Sequence, residues 1–126
     1  MRFLVVEDQK DLNKIISKRL SAEGYTVDSC FDGVEALDFV GMAEYDGIIL
    51  DVMMPKLDGI RTTLKIREES SIPIIILSAK TEDADKILGL NVGADDYVTK
   101  PFNPLEAVAR VNSNIRRFYS LGFQWC

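Results

Sequence analysis

The chain has 126 residues and a formal net charge of −5, from 15 basic and 20 acidic side chains, and 47% of its residues are hydrophobic. These values fit one compact domain with a buried core and exclude wholesale disorder. The acidic balance argues against direct binding of nucleic acid by this segment. The chain contains no histidine, which excludes His-containing zinc sites and Ser-His-Asp triads.

The two cysteines, Cys30 and Cys126, form no CxxC motif and are too few for a disulfide framework. We expect Cys30 to pack in the core and Cys126 to be exposed. No apolar run is long enough to span a membrane, and the apolar N-terminus meets Glu7 and Asp8 too soon for a signal peptide. These features predict a soluble, cytoplasmic domain with no membrane association.

Short apolar runs alternate with helical patterns along the chain. The predicted strands are residues 3–6, 25–31, 47–52, 72–78 and 97–99, and the predicted helices are 9–23, 34–43, 59–69, 82–92 and 104–119. The inward face of the first helix is predicted to contain Leu12, Ile15, Ile16 and Leu20. The fourth helix is expected to be weak because Gly89 and Asn91 lower its helix propensity.

Strand–helix units at this spacing predict a parallel sheet with helices on both faces. Uninterrupted apolar strands such as Ile48-Ile49-Leu50 are typical of strands that are covered on both sides. In open sheets of this kind, ligands bind at the carboxyl ends of the strands. The functional residues are therefore expected where the strands end.

Polar side chains collect at these predicted strand ends. They are Glu7 and Asp8 after the first strand, Asp51 in the third, Ser78 in the fourth, and Thr99 and Lys100 at the fifth. Three carboxylates at one edge would repel one another unless a cation lay among them. Oxygen donors without His or Cys favour a hard ion, which predicts Mg²⁺, with Mn²⁺ as the second candidate.

The order and spacing of these residues resemble the receiver domain of two-component response regulators. The resemblance covers residues 1 to about 119 and is carried by Glu7-Asp8, the segment 50–55 around Asp51, Asp58-Gly59, Ser78-Ala79, the segment 93–97 and Lys100-Pro101-Phe102. It implies a flavodoxin-like, doubly wound α/β fold with a five-stranded parallel sheet in the order 2-1-3-4-5 and five helices. Asp58 and Gly59 are interpreted as loop-shaping residues, with Gly59 relieving backbone crowding.

The resemblance also implies a metal site and a phosphoacceptor. Asp51 would accept a phosphoryl group from a phosphohistidine on a sensor histidine kinase, the cognate partner. The ligands of Mg²⁺ would be Glu7, Asp8, Asp51 and the backbone carbonyl of Met53. Such a domain is a switch with self-catalysed phosphotransfer and slow autodephosphorylation, and it is not a turnover enzyme.

The same resemblance implies how phosphorylation would change the domain. Lys100 would neutralise one phosphoryl oxygen, and Ser78 would donate a hydrogen bond to another. An aromatic residue on the fifth strand, at the position of Tyr97, would then turn into the space that Ser78 vacates. The weak fourth helix is the element that such a change is expected to shift.

Charges of both signs lie on the fourth predicted helix, the fifth strand and the last helix. This pattern resembles the OmpR/PhoB-type regulators, in which an N-terminal receiver dimerises through this face by reciprocal salt bridges. The implied pairs across the dimer axis are Lys86–Glu106, Asp96–Arg110 and Asp95–Arg117. The alternative is an ordinary solvated surface.

Residues 1–119 are interpreted as the receiver domain, and residues 120–126 as the start of a linker or an added tail. Family receivers continue into a winged-helix domain, so we expect phosphorylation to drive homodimerisation, with DNA bound only through a domain absent from this chain. One alternative is a stand-alone receiver that docks a protein partner. Another is an inactive receiver retained as a structural dimeriser, against which the intact set of site residues argues.

Overall fold

The computed structural model describes residues 1–52, 58–78, 93–99 and 103–124, with residues 78, 99, 104 and 120–124 described by their backbone alone. Strands and helices alternate along these segments. In chain order they are β1 (Arg2–Val6), α1 (Lys10–Ala22), β2 (Thr26–Cys30), α2 (Gly33–Met42), β3 (Gly47–Asp51), α3 (Gly59–Arg67), β4 (Ile74–Ser78), β5 (Asp96–Thr99) and α4 (Pro104–Gln124). The predicted helix 82–92 lies outside the described residues.

The five strands form one sheet in the order β2-β1-β3-β4-β5, and every neighbouring pair is parallel. The predicted flavodoxin-like strand order is therefore confirmed. In the register, Val6 pairs with Leu50, and Asp51 pairs with Leu77. The carboxyl ends of β1, β3 and β4 consequently lie level at one edge of the sheet.

The core is divided by the sheet into two apolar clusters. Leu4 and Val6 of β1 belong to the cluster that also includes Ala36 of α2 and Ile66 of α3. Phe3 and Val5 belong to the other cluster, together with residues of α1 and α4. Because successive strand residues point to opposite faces, a strand buried on both faces must be apolar throughout, which explains the uninterrupted runs in the sequence.

The inward face of α1 differs from the prediction at one residue. Ile16 and Leu20 are buried and Leu12 is partly buried, as expected, but Ile15 is 44% exposed. Its predicted place in the core was wrong, because the buried face of α1 is centred on Asn13, Ile16 and Leu20, and Ile15 is turned about 100° away from Ile16, outside that face. The residue that joins Ile16 and Leu20 in the interior is the polar Asn13.

Cys30 lies at the end of β2 with its side chain in the core, as predicted. Burial raises the pKa of its thiol to about 12, and the charges of Glu35 and Asp32 add to the shift. A thiol with so high a pKa stays protonated at neutral pH and is a poor nucleophile. The role of Cys30 is therefore packing.

The last helix begins at Pro104, as predicted, and continues to Gln124, beyond the predicted end at residue 119. Tyr119 ties this helix to the start of β3, since its hydroxyl donates to the carbonyl oxygen and to Oδ1 of Asp46, both at 3.1 Å. Burial and the charge of Asp46 raise the pKa of Tyr119 to about 12. In the described part of the chain, no helix has the length and apolarity needed to cross a membrane.

Candidate functional site

Three carboxylates meet at the carboxyl edge of the sheet. Glu7 follows β1 directly, Asp8 comes next, and Asp51 is the last residue of the adjacent strand β3. One oxygen from each carboxylate lies within 4.8 Å of the other two. Glu7 and Asp51 are 0% and 2% exposed, whereas Asp8 is exposed to solvent. The structure thus brings together the three acidic residues predicted to bind metal.

Glu7 is held through both its backbone and its side chain. Its N–H donates to the carbonyl oxygen of Cys30 at 3.2 Å, which continues the pairing of β1 with β2 by one residue. Its own carbonyl oxygen accepts from Nδ2 of Asn13 at 3.1 Å. Its carboxylate oxygen Oε2 accepts from the backbone N–H of Gln9 at 3.1 Å. The turn between β1 and α1 is therefore fixed at the residue that begins the site.

The position of Asp51 is fixed by hydrogen bonds and close packing where α3 begins. The N–H of Val52 donates to Leu77 in β4, and the N–H of Gly59 donates to the carbonyl oxygen of Val52, both at 3.0 Å. A Cβ atom on Gly59 would lie 2.2 Å from the carbonyl oxygen of Asp51. Glycine is thus required for the first turn of α3 to approach the end of β3, which confirms its predicted role. Asp58 caps this helix by accepting from the N–H of Arg61 at 2.8 Å.

The donor set fits a hard divalent cation. Ionised carboxylates this close repel one another, and two of the three are withdrawn from solvent. Ligand oxygens on one Mg²⁺ lie about 3–4 Å apart, as bonds of about 2.0–2.1 Å in an octahedral arrangement require. Small side-chain adjustments would bring Glu7, Asp8 and Asp51 to that spacing. The candidate metal site is therefore consistent with Mg²⁺.

The other residues predicted for the site are described only in part. Ser78 ends β4 beside Thr99 of β5, so its backbone lies at the same edge as Asp51. Tyr97 is buried in the cluster that faces α2 and α3, and its ring lies inside the domain. Lys100 and Met53 lie outside the described residues, as does the side chain of Ser78, so their roles stay predictions.

Three of the charged residues predicted for a dimer interface, Asp96, Glu106 and Arg110, are paired within one chain. Asp96 at the start of β5 lies 3.0 Å from Nη1 of Arg110 on α4, and Arg110 Nε lies 3.8 Å from Glu106. Asn114 donates to the second carboxylate oxygen of Asp96 at 2.9 Å. The predicted Asp96–Arg110 pair thus has an intrachain counterpart. Its reciprocal form between two chains stays a prediction, and Lys86 lies outside the described residues.

The carboxylate of Asp95 is bound by groups of its own chain. Its Oδ2 atom lies 2.7 Å from Nη2 of Arg67 and accepts from the N–H of Ile74 at 2.8 Å. Arg67 also donates to the carbonyl oxygens of Ile72 and Gly93 at 2.6 and 2.8 Å. Arg67 therefore joins the end of α3 to the starts of β4 and β5. Sequence reasoning missed it, since no local pattern connects residues 28 positions apart.

Comparison with known proteins identifies the family. Residues 3–112 match the family model of the response regulator receiver domain. The regulatory protein VanRc of Enterococcus gallinarum is 44% identical over 117 residues, which cover 93% of this chain and 51% of VanRc. The chain thus spans about half the length of this relative.

Solved structures show the same relationship. The receiver domain of the Francisella response regulator 1452 is 40% identical with a TM-score of 0.87, over 93% of this chain and 98% of that one. The BeF3-activated N-terminal receiver domain of Klebsiella pneumoniae RstA is 28% identical with a TM-score of 0.86, over 92% and 99% of the two chains. The sheet order and the acidic cluster at its carboxyl edge place the chain among α/β domains and agree with these matches. The chain belongs to the response regulator receiver domains of two-component systems.

Proposed function

We propose that this domain is a Mg²⁺-dependent phosphoacceptor in which Asp51 receives a phosphoryl group from a phosphohistidine of a sensor histidine kinase. The observation that carries the proposal is the convergence of Glu7, Asp8 and Asp51, one oxygen of each lying within 4.8 Å of the others. Receiver domains bind Mg²⁺ at an acidic site, and this cluster is the acidic group found among the described residues. Such domains are signalling switches, generally without turnover.

The transfer requires little acid–base chemistry from the protein. A carboxylate oxygen of Asp51 forms a bond to phosphorus while the P–N bond of the donor breaks, and the electron pair stays on the imidazole nitrogen. An ionised carboxylate has no proton to lose, so a chain without histidine can perform the step. Bound Mg²⁺ would neutralise charge between the carboxylates and the phosphoryl oxygens. Glu7 and Asp8 would hold it together with Asp51 and, by family resemblance, the Met53 carbonyl.

Lys100 and Ser78 are proposed to bind the transferred phosphoryl group. By family resemblance, the ammonium of Lys100 neutralises one oxygen and the hydroxyl of Ser78 donates to another. Ser78 ends β4 at the same edge as Asp51, which supports its assignment. Tyr97 would respond to the movement of Ser78, and its position in the interior beside β4 is compatible with that role.

The proposed output is an OmpR/PhoB-type change of association. By family resemblance, a face that includes β5 and α4, together with the predicted helix 82–92 outside the described residues, would pair with a second copy once Asp51 is phosphorylated. A DNA-binding domain outside this chain would then regulate transcription. Support comes from the charges on this face, where Asp96, Glu106 and Arg110 already form a network in one chain. Dimerisation would exchange these intrachain contacts for equivalent contacts between chains.

The first test uses beryllofluoride, which mimics an aspartyl phosphate. We expect a Mg²⁺-dependent ¹⁹F NMR signal of bound beryllofluoride for the unmodified protein and none for Asp51→Asn. The matched control is Asp38→Asn, which makes the same change at an exposed position of α2 and should keep the signal. A missing signal in the unmodified protein, or an unchanged signal in Asp51→Asn, would overturn the phosphoacceptor assignment.

Light scattering of the same samples tests the output. A monomer that becomes a dimer only with beryllofluoride and an intact Asp51 would support dimerisation. Arg110→Glu should then keep the ¹⁹F signal and remain monomeric, because it places a like charge opposite Asp96. Beryllofluoride binding without a change in mass would instead favour a stand-alone receiver that docks a protein partner.

A further inference from the structure

A buried asparagine lies directly behind the acidic site. Asn13 of α1 is 2% exposed. Its Nδ2 atom donates to the carbonyl oxygen of Glu7 at 3.1 Å and to that of Cys30 at 3.0 Å. Glu7 follows β1 and Cys30 ends β2, so one side-chain amide connects the ends of two adjacent strands with the helix that crosses them. Both protons of the amide have a carbonyl acceptor.

The orientation of this amide is determined by its partners. Two backbone carbonyls can only accept hydrogen bonds, so the nitrogen must face them and the oxygen must face away. On that other side, the Ser17 hydroxyl lies 3.2 Å from Oδ1 of Asn13 and 2.8 Å from the hydroxyl of Ser29. Asn13 is therefore held in one orientation by α1 and β2 together.

The hydrogen bond from Asn13 to Glu7 connects Asn13 with the candidate metal site. Glu7 makes three of the hydrogen bonds described above: its N–H donates to Cys30, its carboxylate accepts from the N–H of Gln9, and its carbonyl accepts from Asn13. Of these three, only the last depends on the side chain of another residue. That carbonyl belongs to the peptide unit that leads from Glu7 into Asp8, so its direction sets the path of the backbone between the two carboxylates.

We propose that Asn13 is a positioning residue for the metal site, which holds the peptide between Glu7 and Asp8 so that both carboxylates meet that of Asp51. The inference rests on the proposed function, because it assigns Asn13 a role at the same site. Without this side chain, the buried carbonyl of Glu7 loses its amide donor and the turn can rotate. Groups that orient metal ligands typically change metal affinity 10- to 100-fold when they are removed.

A second buried asparagine offers a matched control. Asn114 of α4 is 3% exposed, and its Nδ2 atom donates to Asp96 at 2.9 Å and to the carbonyl of Arg110 at 2.8 Å. Asp96 begins β5, so Asn114 acts at the amino edge of the sheet, opposite the metal site. Asn13 and Asn114 are both buried, and each donates two hydrogen bonds. They differ in the groups that accept these bonds, because only Asn13 donates to a residue of the candidate metal site.

The test compares Mg²⁺ affinity with stability, by titration calorimetry and urea unfolding. We expect Asn13→Ala to weaken Mg²⁺ binding about tenfold. Asn114→Ala should lower stability to a similar extent, with a dissociation constant for Mg²⁺ within about twofold of the unmodified protein, since it leaves the site untouched. Asn13→Leu keeps the branched shape and the number of side-chain heavy atoms but donates no hydrogen bond, and it should weaken Mg²⁺ binding as Asn13→Ala does.

Hydrogen exchange provides a readout independent of the metal. In the Mg²⁺-free protein, the amide of Gln9, which donates to Glu7, should exchange faster in both Asn13 variants and not in Asn114→Ala. Unchanged Mg²⁺ affinity in both Asn13 variants would overturn the inference and leave Asn13 a structural residue, as would equal weakening in Asn114→Ala. If the unmodified protein binds no Mg²⁺, or Asp51→Asn binds it equally well, it is the proposed function that fails.

Discussion

Two pairs of neighbouring acidic residues lie at opposite edges of the sheet, and their side chains are arranged in opposite ways. At the carboxyl edge, Glu7 and Asp8 converge on Asp51, with one oxygen from each within 4.8 Å of the others. At the amino edge, Asp95 and Asp96 diverge, the first to an arginine of α3 and the second to an arginine of α4. Similar residues therefore concentrate negative charge at one edge and neutralise it at the other.

The difference shows how one residue type can serve binding or architecture. The carboxylates of Asp95 and Asp96 accept hydrogen bonds from cationic or amide donors. Asp95 accepts from Arg67 and from the N–H of Ile74. Asp96 accepts from Arg110 and Asn114. Such carboxylates join elements of the fold. Carboxylates that converge on one another instead create a place where a divalent cation is stabilising. The direction of the side chains, rather than their identity, separates the two roles.

The largest loss of stability is expected for Gly59→Ala, next to the acidic cluster at the carboxyl edge. A Cβ on Gly59 would lie 2.2 Å from the carbonyl oxygen of Asp51, and backbone cannot move aside without displacing the end of β3. Gly59→Ala should therefore lower the free energy of unfolding by about 3 kcal/mol or more and weaken Mg²⁺ binding.

Gly93→Ala is the counterpart at the amino edge. Gly93 has a φ of +105°, and its added Cβ would meet the flexible side chain of Arg67 at 3.0 Å. We expect a loss of about 1–2 kcal/mol, with Mg²⁺ affinity unchanged. Urea unfolding and titration calorimetry measure both quantities. Equal losses at the two glycines would contradict the steric argument for Gly59.

Asp95→Asn, which removes the charge and keeps the shape of the side chain, is expected to lower stability less than Gly59→Ala does. The side chain of Arg67 is only 18% exposed and would lose the carboxylate 2.7 Å away. Because the pair is partly screened by solvent, we expect a loss of about 1–2 kcal/mol in urea unfolding, with unchanged Mg²⁺ affinity. Full retention of stability would mean that the pair contributes nothing net, and weaker Mg²⁺ binding would mean that the two edges are coupled.

The sequence predicts the sheet and the acidic site because both follow from local rules. Uninterrupted apolar runs locate β1, β3 and β4, and the rule that ligands bind at strand carboxyl ends then selects Glu7, Asp8 and Asp51. Most bounds of the elements shift by a residue or two, as at β4, which begins at Ile74 after Pro73, whereas the last helix extends five residues past its predicted end at residue 119, to Gln124. Family resemblance adds the strand order.

What could not be predicted depends on long-range packing. Periodicity groups Ile15 with Leu12, Ile16 and Leu20 on the inward face, and it gives no reason to bury the polar Asn13 in place of Ile15. The choice follows from two strand-end carbonyls that need a donor. Likewise, the ion pair of Asp95 with Arg67 joins residues 28 positions apart in the chain, and no local pattern indicates it.

The smallest predicted change in stability is a gain, whereas the changes above are losses. Asp8→Asn makes at the carboxyl edge the substitution that Asp95→Asn makes at the amino edge. Two charges about 4 Å apart in water repel by about 1 kcal/mol, so removing the exposed Asp8 charge should stabilise the Mg²⁺-free protein by up to about 1 kcal/mol. With saturating Mg²⁺, the unmodified protein gains stability by binding the ion, whereas the variant gains little. The order of stability should therefore reverse between EDTA and Mg²⁺ in urea unfolding. A variant that is less stable in EDTA would show that Asp8, like Asp95, serves the architecture of the fold.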